Sequence, residues 1–292
     1  MDRILEQLVN GLTIGSTYAL VALGVVLIFS ILDVMSLAQG ELFLASGYIG
    51  LVWTLGLTGN IWLAILAVIV SSVLLGALVE RVVVRPTLKG GHMATLISTV
   101  GVGIILTNLI VVLFGPYNQP VPNAAVVGAW HLGPVSLRPI DLIALAVLAA
   151  GFFGLTFIVQ KTRLGVAIRA TAENPQVAAT FGIRVNRMRS LTFVIGTALA
   201  GLAAVILALK FGVLTPVLGL DFTLKALIVT IIGGTGRIAG AVIAAFGLGI
   251  VEAITTQFLG ADWVSLVGYT VLLLFIMLLP EGIFRSRVRR AG

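Results

Sequence analysis

LVNGLTIGSTYALVALGVVLIFS, residues 8–30, runs for 23 positions without a charged side chain. A helix of about 20 apolar residues is what it takes to cross the roughly 30 Å hydrocarbon core of a bilayer. The stretch therefore predicts a membrane span. Gly11 and Gly15 stand four apart and Ala19 extends the row. Small side chains in that pattern let a second helix approach closely. Reading outward, the same signature recurs at 34–57, 61–80, 93–114, 141–160, 190–210 and 263–280. A short apolar stretch at 222–232 is followed by another at 233–260. The chain predicts an all-α, polytopic transmembrane helical bundle of about 8–9 spans, one of them re-entrant or broken.

Composition agrees. Of the 292 residues, 59% are hydrophobic and 10% charged, with a mean hydropathy of +1.17. A soluble domain carries about 25% charged residues. Short alternating strand patterns are absent, which argues against an outer-membrane barrel. The chain has no cysteine, so disulfides, thiolate metal sites and catalytic thiols are excluded. A net charge of +7 invites a nucleic-acid reading. That reading fails, because the basic residues cluster between spans, as topology determinants do. The start, MDRILEQ, is mixed in charge and leads into a full-length span, so the first helix is expected to be retained.

Three segments, 81–92, 161–189 and 281–292, hold 13 of the 18 Lys and Arg residues. Even numbers of expected spans separate them, so all three lie on one side, which the positive-inside rule makes the cytoplasm. The proline-rich segment 115–140, with Pro116, Pro120, Pro122, Pro134 and Pro139, then faces outward as a loop of little regular structure. The N-terminus faces outward by the same parity. His131 has no second His, Cys or acid at ligand spacing, so no metal site is expected there.

A few polar residues interrupt the spans. Asp33, Gln39 and Glu41 stand at the start of the second span, and Gln39-Gly40 breaks its apolar pattern. Such groups either sit solvated at the interface or face a cavity in the bundle, as in a broken helix lining a pathway. Thr107 and Asn108 lie in the fourth span, as helix–helix glue or as pore lining. Glu252 lies in the eighth apolar segment and fits a structural ion pair or a pathway residue. Gln39, Glu41, Asn108 and Glu252 are the candidate translocation residues. The arm 222–232 is about 17 Å as helix, short of the bilayer core. It is either half of a re-entrant hairpin or a span that starts earlier, with Lys225 snorkelling. The run Gly233, Gly234, Gly236 and Gly240 lacks a βαβ context and reads as tight helix packing. Arg237 marks the tip of that hairpin or a contact with a partner. No GxxxxGK[ST] occurs, so ATP use would fall to another subunit. No nucleophile, paired catalytic carboxylates or metal cluster is visible, and the chain reads as a non-enzyme.

The longest polar break is KTRLGVAIRATAENPQVAATFGIRVNRMR, residues 161–189, with six basic residues and one acid, Glu173. Asn174 predicts an N-cap, Pro175 suits the first helical position, and Gly182 suits a left-handed C′ residue. The helix between them, roughly 175–181, places Val177 and Phe181 on one face at i and i+4. A helix this short is marginal alone in water. It packs either on its own bundle or on a partner protein.

Four stretches carry a family likeness: SLAQGELFLASGYI (36–49), IRATAENPQVAATFGI (168–183), GGTGRIAGAVIAAFGLGIVEA (233–253) and LLLFIMLLPEGIF (272–284). In this order and spacing the chain resembles, along essentially its whole length, the LivH-type permeases of branched-chain amino acid ABC importers. The resemblance implies a single transmembrane permease domain, 1–292, in the bacterial inner membrane. It implies a second, LivM-like permease subunit, two cytoplasmic ATP-binding subunits that hold ATP and Mg, and a periplasmic amino-acid-binding protein. The segment 161–189 would be the cytoplasmic coupling loop, docking on the ATPase through Ala172, Glu173, Asn174, Pro175, Val177, Phe181 and Gly182. Many importers show an EAA-x3-G character here, whereas in this chain Glu173 is followed by Asn-Pro. Related permeases move urea or short amides, which is the alternative substrate class; a stand-alone secondary transporter using Asp33, Glu41 and Glu252 is the rival mechanism.

Overall fold

The computed structural model describes residues 2–34, 36–121, 130–132, 135–234 and 236–278. Helix α1 (Asp2–Leu32) is followed by α2 (Gln39–Gly47), which continues through a π-helical segment (Tyr48–Thr54) into α3 (Leu55–Thr58). Next come α4 (Ile61–Val79), a π-helical segment (Glu80–Val84), α5 (Arg85–Thr87) and a 3₁₀ turn (Leu88–Gly90), then α6 (His92–Phe114). Short strands β1 (Gln119–Pro120), β2 (Trp130–Leu132) and β3 (Val135–Leu137) precede α7 (Pro139–Lys161), α8 (Arg163–Glu173), α9 (Pro175–Thr180) and α10 (Val185–Phe211). The chain then passes through β4 (Val213–Leu214), α11 (Leu218–Gly233), α12 (Ile238–Phe258) and a 3₁₀ turn (Ala261–Trp263) into α13 (Val264–Leu278). β1 pairs antiparallel with β4, and β2 with β3.

Seven of these helical stretches are long and apolar enough to cross a membrane, the α13 region is a shorter apolar helix, and α11 has 16 residues. The bundle is built around α1, whose residues Ala19 to Leu23 are fully buried. In lipid no hydrophobic effect drives one helix onto another, so close contact rests on small residues and polar groups. The sequence row of small residues does this work. A Cβ on Gly11 would lie 2.8 Å from Ile250 Cα, and one on Gly249 would lie 2.4 Å from the Gly11 carbonyl oxygen. α1 and α12 therefore pack backbone to backbone. Gly233 likewise packs on Gly240 and Ala241, so the packing reading of that run holds for these two glycines, whereas Gly234 and Gly236 take positive φ in the turn and a Cβ on Gly236 would meet nothing within 4 Å. The outer helices carry the opposite pattern. Leu66, Leu74, Ile97, Ile105, Phe153 and Phe157 are exposed on α4, α6 and α7, an apolar surface suited to lipid.

Three expectations change. The third span does not end at residue 80 in a loop: its helix runs from Ile61 to Gly90, carrying Arg81, Arg85 and Lys89 on helical turns. No strong breaker stands between Val79 and Gly90 except Pro86, and Pro86 follows the π segment, where the ladder already changes register. The second helix starts at Gln39 rather than 34, because Asp33 adopts a left-handed φ of 52° and ends the helical run. The arm expected at 222–232 runs from Leu218 to Gly233, 16 residues and about 24 Å as helix. The tail cations Arg285, Arg287, Arg289 and Arg290, with Pro122, Pro134 and the side chain of His131, lie outside the described residues.

The two ends of the bundle differ in charge. Leu32, Arg81, Lys89 and Arg189 line one cavity, and Ile31, Ile168 and Met188 form a small buried cluster. The end of α1, the extension of α4 and the segment 161–189 thus share one end, called here the basic end. At the opposite end Gln7 donates to Gln257 at 3.0 Å, and β1 meets β4.

Candidate functional site

At the basic end, α8 and α9 form a projecting elbow. Thr162 caps α8 by accepting from the Gly165 amide at 3.1 Å. Asn174 caps α9, its side-chain oxygen accepting from the amides of Gln176 and Val177, both at 3.0 Å. Pro175 occupies the first turn and Gly182 has φ 81°. The Ile183 amide donates to the Ala178 carbonyl and the Gly182 amide to the Ala179 carbonyl, a Schellman closure. The two caps of α9, Asn174 and Gly182, were legible in the sequence; the Thr162 cap of α8 was not. Ala178 is buried against the bundle, whereas Val177 is 49% and Phe181 81% exposed. Ala172, Glu173 and Asn174 are exposed beside them. Of the two alternatives for what covers this helix, its own bundle takes only the Ala178 face. Amphipathic α8 was not read as a helix; Ile168, buried against Ile31 and Met188, and buried Thr171 were the periodic signal for it.

Inside the bundle, the polar residues of the spans fall into distinct places. Asp33 is exposed, but Gln39 and Glu41 are 0% and 4% exposed, so the interfacial reading holds only for the first. The Thr223 hydroxyl accepts from the Gly40 amide at 2.8 Å and lies 3.4 Å from a Glu41 carboxylate oxygen. A Cβ on Gly103 of α6 would meet that carboxylate at 3.3 Å. Glu41 thus joins α2, α6 and α11. The Gln39 amide has no hydrogen-bond partner among the described residues. Asn108 is not brought to this group. It lies on the exposed face of α6 with Ile104, Ile105 and Leu109, donating to the Ile104 carbonyl at 2.8 Å.

Glu252 is the centre of a second cluster. Its carboxylate lies 3.1 Å from Lys225 Nζ and accepts from the Tyr18 hydroxyl at 2.6 Å. Lys225 also pairs with Asp221 at 3.0 Å and donates to Tyr18 at 3.0 Å. Lys225 therefore does not snorkel; it is held between two carboxylates. Bare charges at this depth are costly, and pairing them with full hydrogen bonding is what makes them tolerable. Above this cluster, Lys210 bridges the Asn10 carbonyl at 3.3 Å and Asp141 at 3.6 Å, while Thr13 donates to Asp141 at 2.8 Å. The cluster lines a cavity of about 490 Å³ that reaches Lys210, Phe211 and Ala261 at the opposite end. Apolar walls from Ile14, Leu207, Leu218 and Val264 complete it. Such a chamber pairs cation and anion with greasy walls, the composition a small zwitterion with an apolar side chain needs. Asp221 and Lys225 are readable in the sequence as an i, i+4 pair; their meeting with Glu252 and Tyr18 is set by tertiary packing alone.

Comparison with known proteins bears on this geometry. The family described as branched-chain amino acid transport system / permease component matches residues 7–279. The chain is 34% identical over 291 residues to the high-affinity branched-chain amino acid transport system permease protein BraD of Pseudomonas aeruginosa, covering 96% of this chain and 95% of that one. It is 32% identical to the LivH protein of Escherichia coli K12 and 31% to that of Salmonella typhimurium, each across 96% of this chain and 94% of the relative. A multi-pass helical bundle matched from end to end by these permeases belongs to the permease family of branched-chain amino acid transport systems.

Proposed function

We propose that this chain is the permease subunit of an ATP-binding cassette importer that carries branched-chain amino acids into the cytoplasm. The observation that carries the reading is the capped helix α9, projecting at the basic end with Val177 and Phe181 uncovered. The positive-inside rule assigns that end to the cytoplasm. A separate ATP-binding subunit covers this elbow and moves it. Ala172, Glu173, Asn174, Pro175, Val177, Phe181 and Gly182 form the docking knob. α9 leans on α8 and α10, so its displacement is transmitted into the bundle. The opposite end then takes substrate from an extracytoplasmic amino-acid-binding protein. A second, LivM-like permease completes the path, and two ATP-binding subunits hold the ATP and Mg.

Transport on this reading proceeds by alternating access. The chamber beside Glu252 and Lys225 receives the amino acid from outside, and the buried polar run through Gln39 and Glu41 continues the path inward. Branched-chain substrates fit the names of the relatives and the apolar walls of the chamber. ATP-driven uptake of labelled leucine into vesicles holding all subunits tests the reading. Urea uptake without leucine uptake would replace the substrate class. Leucine movement down a gradient by this permease alone would replace the mechanism with a secondary carrier.

A further inference from the structure

The basic end holds a second cavity that the transport reading does not use. It measures about 560 Å³ and is lined by Arg81, Arg85, Lys89, His92 and Arg189 beside Leu32. These side chains come from three separate elements: Arg81, Arg85 and Lys89 from the helical extension after α4, His92 from the start of α6 and Arg189 from the first turns of α10. Among the described residues, no carboxylate lies within 4.0 Å of the four Lys and Arg groups; the ion pairs found involve Lys210 and Lys225. The nearby Glu80 is buried and accepts from Ser190 instead. Arg189 Nε is buried and has no hydrogen-bond partner among the described residues. His92 Nδ1 meets the Asp33 carbonyl at 2.8 Å, and since a carbonyl only accepts, that nitrogen donates. A concave site with several converging N–H donors and no internal anion has the chemistry of a phosphate site.

Its surroundings say which phosphate. Leu74, Leu78 and Val82 are exposed in a row on the helix that carries Arg81 and Arg85. Met93 and Ile97 are exposed on α6 next to His92. Both rows lead from the cations down the apolar belt, so the cavity sits where acyl chains end and headgroups begin. Basic pockets between membrane helices on the cytoplasmic side suit anionic headgroups, each nearby Lys or Arg adding attraction.

We propose that this cavity binds the phosphate headgroup of an anionic phospholipid, with the acyl chains lying along the apolar rows of α4 and α6. The bound lipid ties the extension of α4 to the first turn of α10, the helix that follows the coupling elbow. Occupancy therefore stiffens the end of the bundle that receives mechanical work.

The test uses the full chain purified in neutral detergent, with its thermal midpoint followed during titration. Three probes are compared: short-chain phosphatidylglycerol, phosphatidylcholine of the same chain length, and inorganic phosphate. Phosphatidylglycerol is expected to raise the midpoint saturably, and phosphatidylcholine is not. R81Q/R85Q is expected to weaken the phosphatidylglycerol titration by about tenfold or more. K161Q/R163Q removes equal charge from the same end outside the cavity and is expected to leave the titration unchanged. A lipid-free midpoint close to wild type shows that R81Q/R85Q still folds. Inorganic phosphate as effective as the lipid would replace the lipid with a free anion. Equal loss in both double variants would reduce the effect to bulk charge. An R81Q/R85Q protein that titrates normally but no longer co-purifies with an ATP-binding subunit would give the surface to that partner instead. Each of these three outcomes overturns the proposal.

Discussion

Lys225 and Glu252 stand 27 positions apart in the chain yet 3.1 Å apart in space, with Tyr18 and Asp221 closing the group. Removing one member of a buried pair leaves the other charge uncompensated, at about 3–5 kcal/mol. Lys225→Met strands two carboxylates, whereas Glu252→Gln keeps an acceptor for Tyr18 and leaves Asp221 for the lysine. The expected order of thermal midpoints in detergent is therefore wild type, then E252Q, then K225M well below both. A K225M protein that melts like wild type would remove the pair from the structural account. E252Q also separates structure from transport. If the cluster lines the path, this variant keeps its fold and still loses leucine uptake. If the cluster only holds α11 to α12, uptake follows stability.

Helices in this molecule are positioned by two devices, caps at the basic end and glycine crossings in the bilayer, and each gives a matched prediction. Gly249 lies where a Cβ would come within 2.4 Å of the Gly11 carbonyl oxygen, while a Cβ on Gly247, two residues earlier on α12, meets nothing within 4 Å. Gly249→Ala is expected to pry α1 from α12 and lower both yield and midpoint. Gly247→Ala is expected to be neutral or stabilising by up to about 1 kcal/mol, the helix propensity of alanine over glycine. Similar losses for the two variants would mean that the crossing is loose. On the coupling elbow, Ala179→Pro breaks α9 at an exposed position, where the bundle loses little. Glu173→Lys reverses the charge at the end of α8. Both are expected to keep the melting profile and to cut ATP-driven uptake. Undiminished uptake in reconstituted vesicles would remove the docking role from this segment. The elbow was readable from Asn174, Pro175 and Gly182 because cap chemistry is local. The extension of α4 through Arg81 and Arg85 was not, because charge and Pro86 suggested a loop, while the π segment before Pro86 lets the helix run on to Gly90.

At the scale of the whole molecule, the sequence carries the bilayer more plainly than the bundle. Span length and hydropathy reveal which helices cross, since each must satisfy its own backbone in lipid. Which faces meet is set elsewhere. α1 reads like any other apolar stretch, yet it is the buried centre, and Asn108 reads like a pathway residue yet lies on the exposed face of α6. Hydropathy cannot separate lipid from core because both are apolar, so only the small-residue row at Gly11 and Gly15 hinted at the centre. Orientation is the remaining global property, and it follows from charge. The described basic segments 81–92 and 161–189 meet at one end, and α1 starts at the other, as the parity of the spans requires. The chain has no cysteine, so single introduced thiols report without background. Gln176→Cys on α9 is expected to react with a membrane-impermeant maleimide only in inverted vesicles. Tyr117→Cys, exposed beyond α6 at the opposite end, is expected to react only in intact cells. Both residues are exposed on the chain itself, so with the permease expressed without its ATP-binding subunits, failure to label from either side would not be explained by burial. Labelling of Gln176→Cys from outside would turn the molecule over. It would take α9 out of reach of any cytoplasmic ATPase, and the importer mechanism would lose its point of attachment.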